Sequence, residues 1–481
     1  MSTRPITERS GLELADAIRR RELSAQDVVE AHIEVHQRFA SAINAVVADR
    51  YAPAREEAAA ADRAVASANS CDELAPLLGV PFTVKESIAV EGMPNASGLV
   101  ARRHIRSPHS APTVARLLGA GAIALGVTNT SELTLWIETA NRLYGRTNNP
   151  YDTRRTAGGS SGGEGAAVGC GGSPFGLATD IAGSIRIPAL FCGVFGHKPS
   201  RGLVPNTGFY PPASGETSLM LGTGPLARRA EDLMPLLRLL AGPDGQDPHV
   251  RDAPLGDPAA VSLKGLSVVT VQDSSRSTPS PELREARERA VGALEAAGAT
   301  ARTVRLRSWR RALLPFLATL QAGGGQSTAS LLEEAGEPPP TLRGLLRRRS
   351  SLTAPTRLSL AAEQLGGSPD VGVQRRLLAR GRYLAAELQD AIGDGVLLHA
   401  AHPRVAPRHH RTIGRPWLLT PAAVFNLAGV PVTEVPLGIG VHGLPLGVQV
   451  AAGLDRDHVS IAVALELERV FGGWTPPPPP A

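Results

Sequence analysis

One of the few lysines in the chain stands where a neutral amine is expected. Lys85 directly follows residues 77–84 (LLGVPFTV), an apolar run that predicts a buried strand. Lys and Arg together number 50, yet only Lys85, Lys198 and Lys264 are lysines. Burial favours the uncharged form of a lysine, and a neutral amine can act as a general base, which arginine cannot. The alternative is a structural lysine paired with Glu86 or with a backbone carbonyl.

Two serines lie between glycine pairs in residues 158–165 (GGSSGGEG). Ser160 and Ser161 come just before a predicted helix start, where free backbone N–H groups favour negative charge. The string lacks the Gly-Lys-Ser/Thr ending of a phosphate-binding loop. It does match the Gly-x-Ser-x-Gly elbow of α/β hydrolases, with Ser160 as nucleophile. That elbow requires a preceding strand, whereas residues 148–157 predict a loop, which argues against an elbow. The structural alternative for the whole string is a flexible turn.

A third serine follows two small residues. In residues 179–186 (TDIAGSIR), Ser184 comes directly after Ala182 and Gly183. Successive small residues let backbone N–H groups converge on one point, as an oxyanion hole requires. The expected donors are the N–H groups of Ile181, Ala182, Gly183 and Ser184 itself. Taken alone, a serine after a glycine more often marks a turn.

The three segments together, in this order, resemble the amidase signature family of Ser-Ser-Lys hydrolases. The strings are GVPFTVKES around Lys85, GGSSGGEG around Ser160 and TDIAGSIRIPALFCG around Ser184. The resemblance runs through most of the chain and is weakest between about residues 245 and 400. Residues 144–165 (YGRTNNPYDTRRTAGGSSGGEG) are particularly similar to the fatty-acid amide hydrolase branch of that family.

This resemblance implies a role for each residue. Ser184 is the expected nucleophile, Ser160 the relaying serine held by a cis peptide bond, and Lys85 the base. A serine hydroxyl needs a neighbour to take its proton as it attacks, and Ser160 can accept that proton while passing its own to neutral Lys85. Lysine thus replaces the histidine of a serine protease triad. The family most often has glycine where this chain has Ala182, so a reshaped oxyanion hole is expected if that position needs a positive φ.

Neighbouring polar residues are expected to support the triad. Ser161 is expected to hydrogen-bond Lys85, and Asp180 and Arg186 to brace the Ser184 loop without touching substrate. His197 offers an alternative Ser-His triad, but its surroundings (FGHKPS) predict a strand exit and a structural role. The twelve histidines include no His-Glu-x-x-His motif or other ligand cluster, so neither a catalytic metal nor a cofactor is expected.

The elements that must position these residues alternate between helix and strand. This alternation predicts an α/β fold, a single large domain in which a mixed β-sheet is sandwiched between helices. The amidase domain is expected over residues 1–475, with a signature core at 77–208 and a variable, substrate-shaping region at about 245–400. Residues 476–481 predict a proline-rich tail.

Composition limits the classes of partner and the cellular location that can be expected for the chain. With 481 residues, of which 42% are hydrophobic and 20% charged, the chain can bury a large core. It has no apolar run of about 18 residues and no secretory leader, so neither a membrane anchor nor export is expected, and the predicted location is cytoplasmic. The net charge of +5 is dispersed and aromatic residues make up only 4%, which argues against nucleic acid as a partner. A small-molecule amide substrate is expected, and a homodimer stays open.

The predicted function is hydrolysis of a carboxylic amide through an acyl-enzyme on Ser184. The similarity to the fatty-acid branch implies an apolar acyl or aryl substrate, in a pocket lined by Leu133, Leu135, Trp136 and Ile137 and by residues of the variable region. Ester hydrolysis and acyl transfer to an amine are alternatives on the same triad. Two further alternatives remain. The chain could be the glutamine-amidase subunit of a tRNA-dependent amidotransferase, or a catalytically silent binding protein.

Overall fold

Helices and strands alternate along most of the chain in the computed structural model, which describes residues 4–213, 215–272, 277–322, 326–345, 350–366 and 370–480. The strands are β1 (Val46–Asp49), β2 (Pro81–Lys85), β3 (Ile123–Thr128), β4 (Ala140–Asn141), β5 (Gly145–Arg146), β6 (Phe175–Asp180), β7 (Phe195–Lys198), β8 (Gly222–Ala227), β9 (Ser267–Val271), β10 (Thr300–Val304), β11 (Val396–His399), β12 (Val432–Ile439) and β13 (Pro445–Ala452). The α-helices are α1 (Gly11–Arg19), α2 (Ala25–Ile43), α3 (Tyr51–Ser67), α4 (Pro112–Gly119), α5 (Gly162–Gly169), α6 (Arg186–Cys192), α7 (Gly215–Ser218), α8 (Leu233–Leu240), α9 (Pro281–Ala296), α10 (Leu313–Ala322), α11 (Thr328–Glu334), α12 (Leu342–Leu345), α13 (Ala354–Gly366), α14 (Val371–Ile392), α15 (Thr420–Ala428) and α16 (Asp457–Phe471).

Eleven of the described strands form one sheet in the order β1-β3-β2-β6-β8-β7-β12-β13-β11-β9-β10, and β4 and β5 form a separate hairpin. Strands β3, β2 and β6 are parallel to one another, as are β11, β9 and β10, whereas the strands between these groups pair antiparallel. The sheet is therefore mixed, and helices flank it. This confirms the predicted α/β fold in a single domain.

Parallel pairing of β2 with β6 brings two of the three signature segments together. Strand β2 ends at Lys85 and pairs with β6, with Val84 opposite Leu177. The chain leaves β6 at Asp180 and enters the segment that contains Ser184. Because the carboxyl ends of parallel strands lie at the same edge of a sheet, Lys85 and the residues after Asp180 are neighbours although about a hundred residues separate them.

The strand that carries Lys85 is shorter than the sequence predicts. It begins at Pro81 instead of residue 77 and includes Lys85 as its last residue. Gly79 explains the later start, since its φ of +78° is incompatible with an extended strand. A Cβ at Gly79 would also lie 2.6 Å from the Cβ of Ala25, so the turn packs tightly against α2.

After α16 the chain continues as an extended segment along the surface of the signature core. Trp474 is buried, and its Nε1 donates to the carbonyl of Gly169 at 2.9 Å. The hydroxyl of Tyr151 donates to the carbonyl of Thr475 at 2.5 Å. Across the residues that the structure describes, none of the helices combines the length and apolar character needed to cross a bilayer.

Candidate active site

Lys85 is completely buried at the end of β2. Its Nζ donates to Ser160 Oγ at 2.7 Å and to Thr179 Oγ1 at 2.9 Å. Burial lowers the pKa of Lys85 to about 7, against the opposing attraction of the Asp180 and Glu164 carboxylates. A large fraction of the amine is therefore neutral near pH 7 and has a lone pair that can accept a proton.

The hydroxyl of Ser160 faces Lys85, and hydrogen bonds to the Ser160 carbonyl oxygen fix its backbone. The Gly159–Ser160 peptide bond is cis. The carbonyl oxygen of Ser160 accepts hydrogen bonds from Thr130 Oγ1 at 3.0 Å and from Thr139 Oγ1 at 3.1 Å. It also accepts one from the N–H of Ser131 at 3.2 Å. These contacts fix the loop just before α5 and leave the side chain directed at the lysine.

The surroundings of Ser160 differ from a nucleophile elbow. Residues 148–157 form the predicted loop, with turns and isolated bridges where an elbow has a strand. The segment is pinned by side chains: Asn149 Nδ2 donates to the carbonyl of Phe191 at 2.7 Å, and Arg155 Nη1 donates to that of Ala406 at 2.7 Å. Without the strand-to-helix turn, the geometry that makes an elbow serine the nucleophile is missing.

Ser184 lies in a short segment that the Asp180 carboxylate organises. Asp180 Oδ1 accepts the N–H of Gly183 at 2.8 Å, and Oδ2 accepts the N–H of Ile185 at 3.0 Å. Ser184, between these two residues, is 7% exposed and therefore nearly buried. The conformation of the nucleophile candidate therefore depends on a buried carboxylate four residues upstream.

Glycine is required at position 183 and not at position 182. Gly183 has a φ of +105°, and a Cβ there would lie 2.5 Å from the Cβ of Ala422. Ala182 is absent from the residues with positive φ, so its side chain causes no backbone strain. This chain therefore departs from the family's usual Gly-Gly pair at position 182, where the backbone conformation accommodates a side chain.

The predicted oxyanion donors are not equivalent. The N–H of Gly183 is already bonded to Asp180. Ile181 and Ala182 are half-buried against an apolar cluster that contains Met220 and Phe316. The N–H groups of Ile181, Ala182 and Ser184 are therefore better candidates for an oxyanion than that of Gly183.

Asp180 and Arg186 form a completely buried ion pair. Arg186 Nε donates to Asp180 Oδ2 at 3.0 Å and Nη2 to Oδ1 at 2.9 Å. Its remaining N–H groups reach Gln449 Oε1 at 2.8 Å and Asn426 Oδ1 at 2.6 Å. Burial opposes ionisation of Asp180, yet the Arg186 charge and these hydrogen bonds hold the pKa of its carboxyl well below the usual range. Through these contacts the pair holds the Ser184 segment against β13 and α15.

Two residues that contact the site were missed by the sequence reasoning. Thr179 supplies the second hydrogen-bond partner of Lys85. The hydroxyl of Ser161, which was expected to bond Lys85, instead donates to the carbonyl of Thr179 at 3.3 Å. Thr179 lies in β6, so its contact with Lys85 depends on the pairing of β2 with β6, which no local sequence pattern reveals.

Glu164 is the second missed residue, although it lies within the quoted GGSSGGEG string. Its carboxylate is completely buried and accepts hydrogen bonds from Thr83 and, at 2.7 Å, from Thr128. These bonds tie α5, which follows Ser160, to β2 and β3. Burial raises the pKa of Glu164 to about 7, while the threonines and the Lys85 charge oppose that rise. The glycine at position 176 is related to this burial, because a Cβ there would lie 1.7 Å from Glu164 Oε1 and leave no room for the carboxylate.

The hydrogen bonds of the described residues join Lys85 directly to Ser160 but do not join Ser184 to either. The connection runs through β6, where Thr179 contacts Lys85 and Asp180 orders the Ser184 segment. Catalytic hydrogen bonds are often long or poorly aligned in enzymes without substrate and tighten when it binds, so this geometry is compatible with a role for Ser184 in catalysis.

His197 occupies a separate buried cluster. It lies within β7, one residue before the strand ends, and its ring nitrogens contact Thr433 Oγ1 at 2.9 Å and Asp457 Oδ1 at 3.1 Å. Asp457 also accepts the hydroxyl of Ser200 at 2.5 Å. Both ring nitrogens are occupied, which favours the structural role over a triad with Ser184. Among the described side chains, no group of three or more His, Cys, Asp or Glu residues could hold a metal ion.

A sequence model of the family described as Amidase matches residues 27–459. The chain therefore belongs to the amidase signature family and is a hydrolase that acts on amide bonds. It is 41% identical to fatty-acid amide hydrolase 2-B of Danio rerio over 490 residues, a match that covers 99% of this chain and 92% of that protein. It is 40% identical to fatty-acid amide hydrolase 2 of Homo sapiens over 498 residues, covering 98% and 92%. A solved structure of fatty acid amide hydrolase superposes with a TM-score of 0.83 at 22% identity over 98% of this chain and 86% of that one, a likeness of fold.

Proposed function

We propose that the chain hydrolyses carboxylic amides through an acyl-enzyme on Ser184, with Ser160 as proton relay and Lys85 as base. The observation that carries the proposal is the 2.7 Å hydrogen bond between buried Lys85 Nζ and Ser160 Oγ. An amine with a pKa near 7 is matched to proton transfer at neutral pH, because it is neutral often enough to accept a proton and basic enough to hold it.

Acylation then follows from the positions of the groups. Ser184 Oγ attacks the amide carbon while its proton passes to Ser160, whose own proton passes to Lys85 Nζ. The negative charge on the former carbonyl oxygen is stabilised by backbone N–H groups of Ile181, Ala182 and Ser184. Ser160 passes a proton to the departing amine and recovers one from Lys85, which leaves an ester on Ser184 and a neutral Lys85.

Deacylation uses the same groups, with water as the attacking nucleophile. Water attacks the Ser184 ester while Ser160 and Lys85 accept its proton, and the acid product leaves with Ser184 restored. An amine in place of water would give acyl transfer, and an ester in place of the amide would enter by the same attack.

The proposed substrate is an amide with an apolar acyl or aryl group. The names of the relatives support this class, and so does the apolar cluster of Met220, Phe316 and Ala423 against which Ile181 and Ala182 pack. A glutamine-amidase subunit is the competing function. Release of ammonia from glutamine at a rate above that from octanamide would favour that function.

A fluorophosphonate probe tests the assignment without a known substrate. Wild-type protein should be labelled on Ser184, and Ser184→Ala should lose labelling and roughly 10⁴-fold or more of its amidase activity. Ser67→Ala, at an exposed serine near the end of α3, is the matched control and should retain both. Labelling that persists in Ser184→Ala but disappears in Ser160→Ala would make Ser160 the nucleophile and overturn the proposal.

A further inference from the structure

A loop from the second half of the chain lies against the segment that holds Ser160. Residues 407–413, the 407–413 loop, follow β11 and precede α15, so they are outside the signature core predicted at 77–208. The N–H of Thr156 donates to the carbonyl of Pro407 at 3.0 Å. Thr156 is four residues before Ser160, and the loop therefore contacts the stretch that leads into the relay serine.

The same loop is bound to Glu138 by three hydrogen bonds. Glu138 Oε2 accepts the N–H of His410 at 2.7 Å, and Oε1 accepts the N–H of Thr412 at 3.1 Å and its hydroxyl at 2.5 Å. The Thr412 hydroxyl in turn accepts the Nε1–H of Trp136 at 2.8 Å. Thr412 is completely buried and Glu138 is 8% exposed. The hydroxyl thus bridges two side chains of one short segment, where little water competes for these bonds.

The backbone on either side of Glu138 lies directly against Gly159. A Cβ at Gly159 would lie 2.6 Å from the carbonyl oxygen of Trp136 and 2.9 Å from the nitrogen of Glu138. Two backbones packed this closely have no free space between them, so a shift of one displaces the other. Gly159 directly precedes Ser160, whose hydroxyl accepts the hydrogen bond from Lys85.

Thr139, the residue after Glu138, holds the relay serine from both sides. Its N–H donates to the carbonyl of Gly158 at 2.9 Å. Its hydroxyl donates to the carbonyl of Ser160 at 3.1 Å and accepts the N–H of Gly162 at 2.9 Å. A displacement of Glu138 is therefore passed to Ser160 through the adjacent threonine as well as through the backbone contact.

We propose that the 407–413 loop positions Ser160 for proton transfer, and that Thr412 and Glu138 are the positioning residues through which it acts. The proposal rests on the proposed amidase function and adds two residues that act on the relay from behind. Both work through the backbone that contacts Ser160 and not through substrate. Proton transfer depends on the distance and alignment of donor and acceptor, and a misplacement of about 1 Å costs up to about 10²-fold in rate.

Hydrolysis of octanoyl p-nitroanilide by Thr412→Val and Thr412→Ser tests this role. Valine has nearly the shape of threonine but no hydroxyl, so it removes the hydroxyl's bonds to Glu138 and Trp136. The kcat of Thr412→Val should fall about tenfold while KM stays within about twofold of wild type, because the groups that bind substrate are unchanged. Thr412→Ser keeps the hydroxyl and should retain most of kcat.

Thr433→Val is the matched control. Thr433 is also completely buried, and its hydroxyl contacts His197 Nδ1 at 2.9 Å and Ser460 Oγ at 3.0 Å, away from the Ser160 segment. The control should lose a similar free energy of unfolding and keep the wild-type kcat. No loss of kcat in Thr412→Val, an equal loss in the two valine variants, or an equal loss in Thr412→Ser would overturn the proposal.

Hydrogen exchange separates this proposal from the proposed chemistry. Mass spectrometry of the peptide that contains residues 158–163 should show faster exchange in Thr412→Val than in wild type or Thr433→Val, because the segment opens more often. Faster exchange supports the positioning role even if no amide is hydrolysed, in which case only the amidase proposal fails. Equal exchange in the three proteins overturns the positioning role. Glu138→Gln, which replaces one accepting oxygen by an NH₂ group, has the same expected results and takes the place of Thr412→Val if that variant does not fold.

Discussion

The proposed catalytic centre and the helical region from α10 to α13 bury different kinds of side chain. Around Lys85 and Ser184 the buried groups are charged, and each has partners, as in the four-way contacts of Arg186. In the helical region the buried groups are mainly leucines, which pack with Leu133 and Tyr210. Large apolar side chains of that region also remain exposed, among them Leu314 and Leu365.

Buried charges and buried leucines constrain the sequence to different degrees. Buried charges need particular partners at particular distances, so few substitutions are tolerated and the residues stand out as motifs. Leucine packing requires only volume and apolar character, so many sequences can satisfy it. The stability of the proposed catalytic centre should therefore fall sharply when one buried charge is removed, and that of the helical region when buried volume is removed.

The largest expected effect on stability comes from Asp180→Asn. The substitution leaves Arg186 buried without its counter-charge, and breaking a buried pair in this way costs about 3–5 kcal/mol of unfolding free energy. Urea denaturation measures the loss. Glu30→Gln, which breaks the exposed pair with Arg55, is the matched control and should change stability little. Similar values for the two variants would contradict the distinction between buried and exposed charges.

A substitution in the helical region should lower stability without altering the titration of the base. Leu332→Ala empties a completely buried site in α11 and should cost about 2–5 kcal/mol. The pH midpoint of amide hydrolysis should stay at its wild-type value, because Lys85 has the same neighbours. Leu365→Ala, at a residue that is 72% exposed, is the control and should be nearly neutral. A shifted midpoint in Leu332→Ala would show that the two regions are coupled.

The smallest expected effect is a shift in pH dependence from Glu164→Gln. The Glu164 carboxylate raises the pKa of Lys85, so its removal should lower that pKa and move the rising limb of the acylation profile to lower pH. Glu434→Gln, at another completely buried glutamate in β12, should leave the limb in place. A shift to higher pH in Glu164→Gln would contradict the assigned electrostatic role.

Local sequence accounts for the fold class and the family, and it supplies the motifs from which the site is proposed. Strand β1 was not predicted, because Val46–Asp49 is a short, half-exposed edge strand that has no alternating pattern. Thr179 was missed because its contact with Lys85 arises only when β2 and β6 pair. For β1 the local pattern is too short to indicate a strand, and for Thr179 the missing information is a long-range contact.

The central claim is that a neutral Lys85 accepts the proton that starts acylation. Pre-steady-state acylation of wild type and Lys85→Ala, measured across pH with one aryl amide, tests it most directly. Because the amine is neutral above its pKa, wild-type acylation should rise with pH around a midpoint near 7. Lys85→Ala should lose that limb and about 10²–10⁴-fold in rate at neutral pH, with partial recovery in alkaline solution. A variant that keeps the wild-type limb, or a flat wild-type profile, would contradict the account.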